Sequence, residues 1–426
     1  MRTFRWLRNL WIPWVMTIAL ACFSDAVAQT SYTVTDLGTL HNDNFGMPMG
    51  LNNHGWTENM DGVVTFSDPL SFSATVVKGR AVINLDGLNM DLGTLGGKNS
   101  WINWGGINDR GEAVGMAETS VPDPDGEDVC GFGTRKTCHP FLWRHGHMSA
   151  LPTVGGNNGQ ASAINNRGEI AGFAENGALD TSCPPGTTDN RIALPVRWEK
   201  GNAHALPLVG SDPDGVAFGI NDQGQAVGYS GTCTTALHGV SWENGIVSLL
   251  LDLGTGAIAQ GINNRGQIVG QVGSPDGTTF YAAVWQNGAD GAVTNLRTLP
   301  GDFAAFATGI NNRDQVVGST FDSGFNWSGG FIWQNHVVTD LNTLIPADSN
   351  LFIINASNIN ERGQISGMAF VVTGPHAGDI HSILLTPVDA SIGTSMADFA
   401  RTHPHANLPA TGNRSLHGFG PGRFDQ

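Results

Sequence analysis

Positive charge is scarce in this chain: 21 Lys and Arg stand against 37 Asp and Glu in 426 residues. Such an acidic surplus opposes binding to nucleic acid or an anionic membrane and ordinarily serves solubility. Long apolar runs are missing too. The run over residues 10–23 falls short of the ~20 residues that span a bilayer, and no later run resembles a membrane helix. Catalytic and cofactor motifs are absent: there is no G-x-S-x-G elbow, no H-E-x-x-H pair and no phosphate-cradling glycine loop ahead of a helix. No cofactor is therefore expected. Charged residues make up only 14%, yet 58 glycines and a patterned apolar content exclude disorder and suit many short strands and turns.

What the chain has is a repeat. Gly261-Ile262-Asn263-Asn264-Arg265-Gly266-Gln267-Ile268-Val269-Gly270 has counterparts whose first asparagines are Asn52, Asn108, Asn165, Asn221, Asn311 and Asn360. Self-similarity at a spacing of 42 to 57 residues signals a propeller, solenoid or array. Within a unit, Asn and Gly suit a tight hairpin turn, because both tolerate positive φ and Asn bonds its own backbone. A small-residue run such as 257–262 precedes the turn, and a β-branched run such as Gln315-Val316-Val317-Gly318 follows it. A second pair comprises a run ending in tryptophan (Trp143, Trp198, Trp242, Trp285, Trp333) and a Leu-Gly-Thr-Leu-like run, at 92–95, 151–154, 206–208, 251–254, 296–299 and 341–344. In the first unit residues 72–77 stand in for the tryptophan strand.

Four strands per unit and seven units predict an all-β, seven-bladed β-propeller of four-stranded antiparallel blades. The chain opens on a lone outer strand over 32–40 and ends on a third strand over 381–386 with no fourth. Pairing of the two would close the ring in the last blade and leave neither edge bare. An open β-solenoid is the lesser possibility. The small residues of the first strand favour it as the innermost.

Arg2, Arg5 and Arg8 before residues 10–23, with Ala26-Val27-Ala28 before Gln29, predict a cleaved signal peptide over residues 1–28. The expected domains are that peptide, one propeller over 29–387 and a flexible tail over 388–426. Localisation is then extracellular or periplasmic, with no stable membrane insertion after cleavage. The tail histidines His403, His405 and His417 are too irregularly spaced for a dedicated metal site.

Variable connections mark the candidate site. Between second and third strands lie long insertions at 116–139, 173–194, 271–279, 320–329 and 368–381, on the face opposite the uniform asparagine turns. The insertions hold Cys130, Cys138, Cys183 and Cys233, and an even count in an exported chain implies disulfides. Of three connectivities, Cys130 with Cys138 and Cys183 with Cys233 is favoured over the others and over zinc. Asp123-Pro124-Asp125-Gly126-Glu127-Asp128 and 211–215 read as solvated turns, since neither completes a calcium loop. Trp101, Trp104 and Phe303 are the candidate ligand-binding aromatics, able to stack on a sugar ring. The turn arginines Arg110, Arg167, Arg265, Arg313 and Arg362 would form a basic ring of structural meaning on the other face, and the repeated tryptophans pack between blades.

His139-Pro140-Phe141 before Leu142-Trp143, His238 before Val240-Ser241-Trp242, Leu92-Gly93-Thr94-Leu95-Gly96-Gly97 and the Asn263 stretch resemble the HAF repeat family of bacterial extracellular proteins. The resemblance spans about residues 31–387 and implies secretion and repeats compatible with a propeller. It carries over no activity and no catalytic residue. The function expected is a non-catalytic binding or scaffold module for a polysaccharide or an extracellular protein. The alternative is a carbohydrate-active hydrolase or lyase on the variable-loop face.

Overall fold

The computed structural model describes residues 30–66, 74–102, 105–187, 190–233, 235–286, 288 and 291–388. Both the expected signal peptide and the expected tail beyond Val388 lie outside these residues. The described chain is all-β, with short 3-10 segments and no α-helix, and none of its helices is long and apolar enough to cross a membrane. Five separate four-stranded antiparallel sheets begin at Gly96–Trp101, Gly159–Ile164, Asp214–Ile220, Ala257–Ile262 and Ala304–Ile310. Strands follow chain order in each; Ala257–Ile262, Ile268–Gly273, Phe280–Trp285 and Val293–Asn295 form one of them.

The sixth sheet joins both ends of the chain. Leu351–Ile359, Ile365–Val371 and Ile380–Pro387 accept Tyr32–Gly38 as an antiparallel fourth strand. Val34 lies opposite Leu385 and Tyr32 opposite Pro387. A single parallel bridge, Phe45 to Ile380, links this group to Phe45–Leu51, Thr57–Phe66, Ala74–Leu85 and Leu88–Asp91. The sheet is accordingly mixed, eight strands in all.

Each asparagine turn follows from local chemistry. Asn263 Oδ1 accepts from the backbone N–H groups of Arg265 and Gln267 at 3.0 Å, while its own N–H bonds Gln267 O. The next glycine, Gly266, takes a φ of +76°, which a β-carbon would strain. One bulge recurs in the first strand, between Ala259 and Gly261 and likewise between Ala161 and Ala163, Ala217 and Gly219, and Ala307 and Gly309. Such bulges bend a strand and sharpen its twist.

Two expectations shift in place. The fourth strand is not the Leu-Gly-Thr-Leu run but the residues just before it, as in His147–Ala150, Asn202–Ala205 and Ile246–Leu249. The run itself leaves the sheet: Gly93 and Gly254 take positive φ, and Pro152 and Pro207 have no N–H for a ladder. In several units a leucine at or beside its start instead plugs the core, with Leu92 N donating to Ala81 O, Leu151 N to Pro140 O and Leu250 N to Gly239 O. In the first unit the third strand runs on to Leu85, and Asn84, opposite Thr57, stands where five other units have tryptophan and the last has Leu385.

The repeated tryptophans pack as expected. Trp198, Trp242 and Trp285 are buried, and each indole N–H donates to a carbonyl of the preceding unit, Pro152, Pro207 and Leu251, at 2.7–2.8 Å.

Candidate functional site

The first asparagines of the units meet one another. Asn52 Nδ2 donates to Asn108 O, Asn108 to Asn165, Asn165 to Asn221, Asn221 to Asn263, Asn263 to Asn311, Asn311 to Asn360, and Asn360 back to Asn52, at 2.8–3.1 Å. This cycle brings the first-strand edges together around a cavity of ≈ 160 Å³ lined by these asparagines other than Asn311 and by Leu51, Ile107, Ile164, Ile220, Ile262, Ile310 and Ile359.

Around the same cavity the following residue of each turn is Asn53, Asp109, Asn166, Asp222, Asn264, Asn312 or Glu361. Amides and acids alternate: Asn53 Nδ2 and Asn166 Nδ2 both donate to Asp109 Oδ2, Asn264 Nδ2 to Asp222 Oδ2, and Asn312 Nδ2 to Glu361 Oε1. An odd ring cannot alternate throughout, and the one like pair here is neutral, Asn264 beside Asn312, so no two carboxylates are neighbours. This ring went unnoticed in the sequence, although its signal is plain as the residue after each first asparagine.

Three of the five turn arginines are paired with acids: Arg110 with Glu112, Arg167 with Glu169 and Arg265 with Asp314. Arg110 and Arg265 also reach the next unit's turn, at Asn166 O and Asn312 O. At these three positions an acidic neighbour offsets the charge, which the spacing of arginines alone did not reveal.

On the variable face the disulfides are Cys130–Cys138 and Cys183–Cys233, the second tying insertions of neighbouring sheets. Beside them Asp123, Glu127 and Glu175 converge on the buried Asn158 amide nitrogen at 3.0–3.3 Å. Burial raises the Glu175 carboxyl above its ordinary range against the pull of the Asn158 and Asn157 donors. The remaining oxygens accept backbone N–H groups of Asp125, Glu127, Asn157, Asn158, Asn190 and Arg191. The group braces two insertions and the connection holding Asn157 and Asn158, and leaves little lone-pair capacity for chemistry.

Phe303 belongs to an aromatic cluster from two neighbouring units. It meets Phe325 edge-on at 5.5 Å, Phe325 stacks with Phe280 at 6.0 Å, and Phe321, Trp327 and Phe306 continue behind. Phe303 is 36% exposed. Phe325 holds a φ of +58°, costly for a bulky residue, in a turn where Asp322 Oδ1 accepts from Gly324 and Asn326 N–H groups. Hydroxyl and carboxylate groups border the rings: Thr279 Oγ1 donates to Phe303 O, and Ser328 Oγ to Asp302 Oδ1. Trp101 is placed otherwise. It is buried against Phe132 with ring centroids 5.8 Å apart, because the insertion carrying Cys130 folds over it. Trp104 lies outside the described residues.

Between the first and last units lies a polar seam. Asp61, Asn59 and Thr57 share a face with Gly46, whose Cα is backed by Ser382 Oγ, 2.9 Å from where a β-carbon would sit. Thr57 Oγ1, both amide atoms of Asn59, Asp61 Oδ1, Ser366 Oγ and Ser382 Oγ are buried here without a hydrogen-bond partner among the described residues. Burial pushes the Asp61 carboxyl up to about 7 despite the Leu40 N–H that bonds it. Glu58, on the other face, is buried against Gly106 with neither oxygen bonded, and desolvation raises it well above the usual range.

No protein-family model matches the chain, and no curated protein matches it. Solved structures do. A catalytically inactive virginiamycin B lyase from Staphylococcus aureus with quinupristin is similar over 84% of this chain and 100% of its own, at 11% identity and a TM-score of 0.45. The β-propeller domain of the Trilobed protease from Pyrococcus furiosus is similar over 69% and 80%, at 13% identity and a TM-score of 0.42. Trypanosoma rangeli sialidase is similar over 84% and 58%, at 7% identity and a TM-score of 0.38. At such scores these likenesses say nothing of activity.

Proposed function

We propose that this chain is an exported, HAF-type seven-bladed β-propeller that binds a carbohydrate, without turning it over, on its variable-loop face. The cycle of seven asparagine bonds supports the number of blades, and the pairing of Tyr32–Gly38 with Ile380–Pro387 supports closure. The observation that carries the binding reading is the Phe280, Phe303 and Phe325 cluster. A half-exposed ring surface held by a strained backbone and bordered by Asp302, Ser328 and Thr279 suits stacking on a sugar with hydroxyl contacts at its rim.

A hydrolase or lyase is the rival reading. The acids of this face weigh against it, since the oxygens of Asp123, Glu127 and Glu175 already accept backbone and amide donors.

The test is a polysaccharide array probed with the protein, with reducing and unsaturated sugar ends assayed on every hit. Binding without turnover is expected, weakened about tenfold in Phe303→Ala and Phe325→Ala, as loss of one stacked ring implies. Turnover would overturn the non-catalytic reading, and absence of any carbohydrate hit would favour a protein partner instead.

A further inference from the structure

Three metal-ligating side chains gather at the last insertion, where no motif in the sequence drew attention to them. One ring nitrogen of His376, one of His381 and one carboxylate oxygen of Asp379 lie within 4.8 Å of one another. His381 stands on the buried strand Ile380–Pro387, paired with Ala369. His376 and Asp379 sit on the turn before it. That turn is ordered by its own backbone: Asp379 N donates to His376 O, Ala377 N to Gly374 O, Gly378 N to Val371 O and Val371 N to Asp379 O. Gly374 and Gly378 supply the positive φ that lets it double back.

A fourth group comes from the far end of the chain. Asp36, on Tyr32–Gly38, lies 3.0 Å from His381 Nδ1 through either oxygen. His376 Nδ1 likewise faces Asp379 Oδ2 at 3.2 Å, and the two imidazole centroids are 5.4 Å apart. The Asp36 carboxylate on Nδ1 fixes the tautomer of the His381 imidazole and leaves its Nε2 as the ligating atom, the arrangement that orients histidines at metal centres. Ligand atoms around a tetrahedral zinc ion stand roughly 3.3 Å apart, given bonds of about 2.0–2.1 Å, so small side-chain rotations suffice to close these groups on one ion.

We propose that His376, Asp379 and His381 bind one divalent zinc-like ion, with Asp36 as the carboxylate that orients His381 and solvent in the fourth position. Imidazole and carboxylate donors in this number suit zinc over calcium or magnesium, which take oxygen ligands alone. Because Asp36 lies on the strand that joins the last sheet, the ion fastens the N-terminal strand to that sheet. The inference is independent of the carbohydrate reading.

The test uses the untagged protein, titrated with Co2+ by visible absorption and with Zn2+ by equilibrium dialysis. One ion per chain is expected, with the intense visible bands of four-coordinate cobalt and a rise in melting temperature on loading. His376→Ala and His381→Ala should each abolish stoichiometric binding, while Asp36→Asn weakens it about 10- to 100-fold. His376 is 46% exposed, so its truncation leaves the fold intact and keeps the test informative should His381→Ala misfold. A control replaces His403, His405 and His417 with glutamine and should bind unchanged. Absence of stoichiometric binding, its survival in His376→Ala, or its loss in the tail control would each overturn the proposal.

Discussion

Asparagine, and no other residue, satisfies the first turn position. Its Oδ1 takes two N–H groups of its own turn while its Nδ2 reaches the next unit's carbonyl, as Asn263 does toward Asn311. Aspartate keeps the acceptor and loses the donor, setting a carboxylate against a carbonyl oxygen in a buried ring. Asn263→Asp should cost about 2–4 kcal/mol in chemical denaturation, whereas Asn264→Asp, one residue on and partly exposed, should cost under about 1. Equal losses would mean the ring bond contributes nothing of its own. Asp61 sets a pH dependence. Its folded pKa of about 7 exceeds the ordinary carboxyl value of 3.8, so the native state holds a proton that the unfolded chain has released between those values. The Asp61 contribution to stability is therefore fullest below pH ~4 and is lost, by a few kcal/mol, as pH rises through ~7. Asp61→Asn should flatten that decline in denaturant midpoints measured from pH 4 to 8; an unaltered slope would refute the assignment.

Strands within a unit are held by ladders, whereas units are held to each other largely by side-chain contacts. Trp285 Nε1 to Leu251 O is one, and its counterparts at Trp198 and Trp242 repeat it. Trp285→Phe should destabilise by about 1–3 kcal/mol through the lost bond and the space left behind, measurable as a lowered melting temperature. The Cys183–Cys233 disulfide spans 50 residues and joins two insertions, so replacing both cysteines with serine should cost about 2–4 kcal/mol. Cys130–Cys138 spans only 8 residues and should cost less. Reversal of that order in calorimetry of the two double variants would show that local strain outweighs loop length. The displaced fourth strand belongs here too. The Leu-Gly-Thr-Leu run stands out in the sequence because it repeats, yet it repeats for its plugging leucine and its turn, while the strand ahead of it, such as His147–Ala150, has a variable solvent-facing composition.

Tyr32–Gly38 joins the two ends of the described chain, contributing a ladder to Ile380–Pro387 and the Asp36 carboxylate to His381. Deleting residues 31–39 should expose the edge of Ile380–Pro387 and produce oligomers on size-exclusion chromatography with a broadened unfolding transition. A truncated protein that stays monomeric and melts as before would remove the strand from any closing role. The seam beside it is the polar one: Asp61 and Asn59 stand where another unit carries Val272 and Gly270, so the first and last units meet across groups that burial disfavours.

The repeat, its turns and the all-β class were readable from residues alone, because each depends on neighbours within a few positions or on a period that any unit repeats; the disulfide pairing was favoured among three connectivities and fixed by the fold. Phe303 was readable as an aromatic at a variable connection, and so was Trp101; which of them is buried depended on the Cys130 insertion folding over Trp101. The asparagine cycle, the alternating acids around its cavity, the polar seam and the His381–Asp36 pair, 345 residues apart, came only from the fold. Sequence spacing carries local backbone preference, but contact between distant side chains depends on strand register and on which sheet edges meet, and those are decided by the packing of the entire ring.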